Sequence, residues 1–320
     1  MIPDARREIP KNVATGIAVT SLIFLLAVYM PLIGFFCAVF IPLPVLYYRA
    51  KLGRKAGAIV PTAVIAAMTI VTGGLTIDVL FFVELLLLGF MLCEFFELNL
   101  SVEKTILYAT GTVLGTAAFG VIIYSNFANI GIGDLISNYI AENLKMTLAL
   151  YQDMGVSETN IQLLEKSLDR IQYVLVRILP ALAIASTLFV SWVNTLIAKP
   201  VFTRRQLFYP DFGDLNRWQA PDYFVWGIIA SGLMLLLPSS SLKMLGFNVL
   251  FVLLTIYFFQ GIAIIAYYFE QKRVPRLFRI LLYALIALQQ LMLLIVIGLG
   301  FFDTWLNFRK IGRPASPSEP

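Results

Sequence analysis

Histidine is absent from all 320 residues, and cysteine occurs only twice. The first absence removes imidazole acid–base catalysis, histidine metal ligation and any Ser-His-Asp arrangement together. The second places Cys37 and Cys93 singly inside apolar segments, which argues against a disulfide framework or a cysteine metal site. Charge is scarce too, since Asp, Glu, Lys and Arg make up 13% of the chain, where a soluble domain carries about a quarter. A Walker-type phosphate loop and a Gly-x-Ser-x-Gly elbow are also missing. No enzyme, no cofactor and no bound metal is expected.

What fills the chain instead is apolar sequence. Hydrophobic residues reach 59% and the mean hydropathy is +0.84, so a lipid bilayer must cover much of the surface. A hydrocarbon core needs about 20 apolar helical residues to cross, and runs of that length recur. The fold class expected is all-α, a polytopic transmembrane helical bundle forming a single membrane domain over 1–320. Helices are expected at about 12–29, 32–48, 57–73, 76–97, 104–124, 172–198, 223–241, 243–270 and 277–302. The first is read as a retained span, because no small-residue cleavage site follows Met1 to Lys11. Pro180, Pro238 and the Gly73–Gly74 pair mark kinks or helix ends.

The basic residues fall in short clusters between spans, not in a patch suited to nucleic acid. Arg49, Lys51, Arg54 and Lys55 form one cluster; Lys199, Arg204, Arg205 and Arg217 a second; Lys272, Arg273, Arg276 and Arg279 a third. The positive-inside rule places these in the cytoplasm with Arg6, Arg7 and Lys11, hence a cytoplasmic N-terminus in a bacterial inner membrane. Nine spans then leave Arg309, Lys310 and Arg313 outside. Eight spans, with 12–48 or 277–302 paired, re-entrant or interfacial, remove that conflict, and both counts stay open. The chain divides into a first bundle over 12–124, an extracytoplasmic helical segment over 125–171, a second group of spans over 172–302 and a polar tail over 303–320. In the segment, Leu135, Tyr139, Leu144, Leu148 and Tyr151 recur at near-helical spacing. Thr159 and Gln162 have the spacing of a capping box, and Ile161, Leu164, Leu168, Ile171 and Leu175 extend an apolar seam.

Ionisable side chains inside spans are functional candidates by default. Asp78 and Glu84 occupy the fourth span, and Arg177 the sixth. Counted from the outer ends, Glu84 and Arg177 reach similar depth, which points either to an ion pair, with Asp78 nearer the mouth, or to Arg177 reaching the headgroups while Glu84 is protonated or faces a wet crevice. Glu94 and Glu97 read as a solvated helix end. Asn248 and Gln260 are expected to hydrogen-bond to neighbouring helices. Ala14 with Ala18, and Gly111 with Gly115, set small residues one turn apart for helix packing or contact with a partner.

The second half carries a recognisable order of residues. Arg217-Trp218, Pro221-Asp222 and Trp226 are followed by Tyr257 to Phe259 with Gln260-Gly261, then by Pro275-Arg276. Gly298, Gly300, Asp303, Trp305, Phe308, Arg309 and Lys310 close the series. In these residues the chain resembles the YybS-like family of uncharacterised bacterial membrane proteins. The first half, through Pro31, Pro42, Pro44, Tyr47 and the basic turn after them, is distantly similar to the substrate-binding S components of energy-coupling-factor transporters. That resemblance implies a bundle that binds a small molecule in its outer half, with Ala14 and Ala18 where that family meets its coupling subunit. Without any family, Asp303, Trp305, Arg309 and Lys310 read as an interfacial anchor of the last span. Two functions are therefore expected as alternatives. One is a small-molecule-binding transport component with Asp78, Glu84 and Arg177 at its site; the other is a non-transporting scaffold for membrane-protein partners.

Overall fold

In a bilayer every backbone N–H and C=O must be satisfied within the protein, so apolar runs of this length fold as helices. The computed structural model describes residues 5–74 and 76–310, and among these there is no strand. Arg313 and the rest of the expected polar tail beyond Lys310 lie outside the described residues. The helices are α1 (Ala5–Tyr29), α2 (Pro31–Phe40), α3 (Pro42–Val71), α4 (Ile77–Glu97), α5 (Val102–Ala128) and α6 (Ile132–Asp153). They continue with α7 (Glu158–Glu165), α8 (Leu168–Arg205), α9 (Phe224–Leu236), α10 (Ser240–Gln271), α11 (Arg276–Leu288) and α12 (Gln290–Leu306). Among the described residues six helices are long and apolar enough to cross a membrane, or seven if the bent pair α11 and α12 is one span. The all-α polytopic bundle expected from the sequence is present.

The chain clusters into two compact units, one holding the residues up to Val176 with Ser186–Asp211, the other Arg177–Ala185 with the residues from Phe212 onward. In the first, α3 is two helical arms joined at Gly53, whose φ of 78° and ψ of 175° are non-helical. A Cβ built on Gly57 would lie 2.7 Å from the Cα of Arg49. Eight residues of straight helix would separate those positions by about 12 Å, so the arms fold back on each other. The break at Gly53 falls between the helices expected at 32–48 and 57–73, while the first of these is itself divided, α2 ending at Phe40 and α3 beginning at Pro42. α4 begins at the cap of Thr76, whose hydroxyl accepts the Val79 N–H at 3.3 Å. Its 21 residues reach about 31 Å, enough for the core. Gly89 lets α4 press against α3, because a Cβ there would collide with the Pro42 carbonyl. Thr110 and Ser191 hydroxyls meet at 3.4 Å, and Asn194 donates to the Val39 carbonyl at 2.8 Å.

The α6–α7 segment is helical, with Leu135 and Ile161 buried. Its capping differs from expectation. α7 starts at Glu158, with Ser157 at the cap and no side-chain cap bond, so Thr159 lies inside the first turn. The apolar seam is also interrupted, since Lys166 and Ser167 separate α7 from α8.

The second unit is built on a close helix crossing. A Cβ on Gly261 of α10 would strike the Val296 carbonyl, and one on Gly300 of α12 would strike the Tyr257 carbonyl. Tyr257, Val225 and Ala220 form the adjoining buried cluster, with Trp218 and Phe301 packed against it. α9 stops at Leu236 because Leu237 is extended (φ −70°, ψ 149°), as a residue before proline prefers. α11 and α12 are bent by 103° at Gln289. Arg279 at the start of α11 donates to the Phe269 carbonyl at 3.0 Å. Beyond the end of α12 the Phe308 carbonyl accepts the Tyr268 hydroxyl at 2.9 Å. The pair therefore leaves from, and returns to, the C-terminal end of α10. α11 and α12 thus form a bent hairpin whose two ends lie together, the geometry of a broken or re-entrant segment, as the eight-span alternative allowed for 277–302.

Candidate functional site

α4 carries the carboxylates singled out from the sequence. Asp78, in its first turn, accepts the Tyr139 hydroxyl of α6 at 2.6 Å. Burial, the bond to Asp78 and the nearby carboxylate push the Tyr139 phenol up to about 12. Glu84, six residues further along, is half-buried and accepts the Thr116 hydroxyl of α5 at 2.8 Å. No cation pairs with Asp78 or Glu84 among the described residues. α4, α5 and α6 thus hold two carboxylates by neutral hydroxyl donors. Arg177 lies in the other unit. α8 begins at Leu168 and has 38 residues, about 57 Å against a core of about 30 Å. Position along α8 therefore does not by itself fix the membrane depth of Arg177.

At the other end of α4 the structure departs from expectation. Glu94 and Glu97 are not merely a solvated helix end. Arg49, 1% exposed, donates Nε and Nη2 to Glu94 Oε1 at 3.0 and 2.6 Å, and Nη1 and Nη2 to Glu97 at 2.6 and 2.8 Å. Arg54 adds a longer contact to Glu94 at 3.4 Å. Two carboxylates one turn apart fit the fork of a guanidinium. That spacing was the available signal. Which of the four basic residues in 49–55 turns inward depends on the fold-back at Gly53, which composition does not encode.

In the second unit Asn248 explains how Arg177–Ala185 is held. Its side-chain carbonyl accepts the Ala181 N–H at 3.0 Å, and its amide donates to the Arg177 carbonyl at 3.1 Å. Asn248 thus bonds the backbone of α8 on either side of Pro180, as expected of a residue bonding to a neighbouring helix. Gln260 bonds its neighbours as well. Its carbonyl accepts the Ala220 N–H at 3.0 Å, and its amide donates to Asp303 Oδ2 at 3.2 Å.

Asp303 is the centre of a buried knot. Arg309 Nη2 donates to Asp303 Oδ2 at 2.8 Å, with both side chains fully buried. Oδ1 accepts the Phe308 N–H at 2.8 Å, and Arg309 Nη1 donates to the carbonyls of Asn216 and Trp218 at 2.8 and 3.0 Å. Arg309 Nε alone in that guanidinium has no partner. The anchoring role expected of Asp303 and Arg309 is corrected accordingly: they tie the 216–220 loop to the end of α12 and, through Gln260, to α10. Trp305, 57% exposed, and the exposed Lys310 keep the character of an anchor.

These are the residues on which the YybS-like resemblance rested. A family model described as DUF2232, a predicted membrane protein, matches residues 18–304. The chain belongs to that family. It is also similar to the "Uncharacterized protein YybS" of Bacillus subtilis (strain 168), 23% identical over 304 residues, which cover 92% of this chain and 95% of the relative. No solved structure matches the chain. Of the residues that pointed to the family, Gln260, Gly261, Asp303 and Arg309 are buried at the α10–α12 crossing or in the knot, with Trp218 and Phe308 bonded to it through their backbones. Pro221 accepts the Phe224 N–H in the turn that starts α9; Asp222 and Trp226 are exposed there, and Pro275 and Arg276 open α11.

Of the two uses expected of the small-residue pairs, close packing within this chain is not seen at Gly111 and Gly115. Nothing lies within 4 Å of a Cβ built on Gly111 or Gly115, and Ala14 and Ala18 are exposed. Packing inside the fold uses Gly57, Gly89, Gly261 and Gly300 instead, so those two pairs present open faces.

Proposed function

We propose that the protein is a non-enzymatic component of a bacterial inner membrane that binds a small, cationic or hydrogen-bond-donating solute from the outer side. Asp78 and Glu84 are its acceptors, with Tyr139 and Thr116 orienting them. The observation that carries the reading is Glu84. It is a half-buried carboxylate within an apolar span, held by one hydroxyl and facing no cation among the described residues, and an ionisable group in that setting is retained for a purpose. The plan of S components, taken from the resemblance in the first half, agrees with a site at this level, and any energy-driven step falls to partner subunits. The N-terminus is cytoplasmic in this reading, by the positive-inside rule.

The test is the mass of any small molecule that copurifies with detergent-extracted protein. Retention by the unaltered chain and loss in both Asp78→Asn and Glu84→Gln support the reading; equal retention in the two variants overturns it. Whether Arg177 shares the site is read from a double-substitution cycle with Glu84→Gln and Arg177→Gln. Strictly additive stability losses remove Arg177.

The scaffold alternative has its own observation. An open groove of about 470 Å³ lies among Tyr151, Val156, Asn160, Leu163, Leu164 and Ser167 of the α6–α7 segment, and the Ala14/Ala18 and Gly111/Gly115 faces are uncovered. Crosslinking of this groove to a membrane-protein partner in cells, with no solute retained, favours the scaffold.

A further inference from the structure

The turn between α10 and α11 collects cations that the fold does not use. Lys272 and Arg273 fill it, and Arg276 opens α11. No side-chain hydrogen bond or ion pair holds any of the three among the described residues. Other arginines of this unit are engaged. Arg279 donates to the carbonyls of Val274 and Phe269, Arg309 is buried on Asp303, and Arg217 reaches Asp214 at 3.7 Å. The acid nearest in sequence, Glu270, already accepts the Asn216 amide at 2.6 Å. In the first unit, the basic turn is likewise consumed in part, with Arg49 and Arg54 on Glu94 and Lys51 on Asn12.

Directly beyond the three cations an apolar strip begins. Leu277, Phe278 and Leu281 are 66%, 62% and 56% exposed, and their spacing sets them on one side of α11. The turn itself is fixed: Arg273 is left-handed at φ 50°, and Pro275 caps α11 in an extended conformation. Three unpaired cations beside an uncovered apolar strip match the two halves of one molecule, a phosphodiester headgroup and its acyl chains. The geometry points to an anionic-phospholipid site at the α10–α11 turn. The headgroup phosphate sits among Lys272, Arg273 and Arg276, and an acyl chain lies along Leu277, Phe278 and Leu281. An acidic peptide would satisfy the cations but would leave that strip facing polar backbone, which disfavours it. A basic residue near an anionic bilayer surface strengthens binding about fivefold.

The full-length protein in neutral detergent, titrated with phosphatidylglycerol, phosphatidylcholine or inorganic phosphate, supplies the test through its melting temperature. Phosphatidylglycerol should raise it by several degrees, and the other two should not. An equal rise with phosphatidylcholine, or with phosphate alone, overturns the site, and this comparison needs no variant. The triple substitution Lys272→Gln, Arg273→Gln, Arg276→Gln should abolish the phosphatidylglycerol shift. The same number of charges removed from α8 by Lys199→Gln, Arg204→Gln and Arg205→Gln should preserve it. Equal loss in both triples means diffuse surface attraction and sinks the proposal.

Discussion

Asn248 shows how a single side chain ties one membrane helix to another around a proline. Its carboxamide supplies one acceptor and one donor to Ala181 and Arg177, the same pair of groups a peptide unit would offer. Asn248→Leu should remove both hydrogen bonds to α8, each worth about 0.5–1.5 kcal/mol, and lower the melting temperature in detergent. Thr255→Val, on the same helix, serves as the control, because its hydroxyl bonds only the Phe251 carbonyl of its own helix. Equal losses in the two variants would refute the bridging role. Tyr139 makes a pH-dependent contribution of a defined sign. Its phenol is raised from 10 to about 12, so the stability it adds is fully present below about pH 10 and is lost as pH rises through about 12. The melting-temperature gap between the unaltered chain and Tyr139→Phe should therefore narrow from pH 9 to pH 12. A gap that stays constant across that range removes the Tyr139–Asp78 bond as its source.

At the scale of elements, glycine distinguishes packing that is present from packing that sequence motifs suggest. Gly261→Ala forces a methyl into the Val296 carbonyl, where backbone rather than a flexible side chain must give. Overpacking of this kind costs about 1–3 kcal/mol. Gly111→Ala meets open space and should be neutral or stabilising, since alanine favours helix over glycine by about 1 kcal/mol. Thermal melts of the two variants in one detergent decide the matter, and equal behaviour would contradict the crossing geometry. The same contrast marks what was legible in the sequence. Helix positions followed from apolar length, and hydrogen bonding by Asn248 and Gln260 followed from the cost of polar groups in lipid. Gly111 and Gly115 satisfied a spacing rule that depends on a second helix, which the rule itself does not supply. Arg49 and Arg309 turned inward through contacts 45 and 93 residues distant in sequence, a separation no local pattern records. Of the candidate site, Asp78 and Glu84 were visible as charges in an apolar run. Their partners Tyr139 and Thr116 were not, because a hydroxyl in such a run is ordinary until its neighbour is known.

For the whole molecule, the course of the last two helices decides where the chain ends. Counting apolar runs makes residues 277–302 a crossing and sends the basic residues after it to the far side. Four hydrogen bonds oppose this. Tyr268 near the end of α10 donates to the Phe308 carbonyl, Asn216 bonds Glu270 while its carbonyl receives Arg309, and Arg279 at the start of α11 reaches back to Phe269. Residues 269–279 and 308–309 are thereby held at one end of α10, whatever the orientation of the molecule in the bilayer. Lys272, Arg273, Arg276, Arg309 and Lys310 then share a side, so the positive-inside rule no longer sets the residues after α12 against those before α11. Reporter fusions placed after Val274 and after Pro320 should accordingly give the same answer, and the rule assigns both to the cytoplasm. A phosphatase active only outside the cytoplasm should be silent at both positions, while a fluorescent protein that matures only inside should report at both. Opposite signals from the two fusions would make the α11–α12 pair a true crossing and would break the knot between Arg309 and the 216–220 loop.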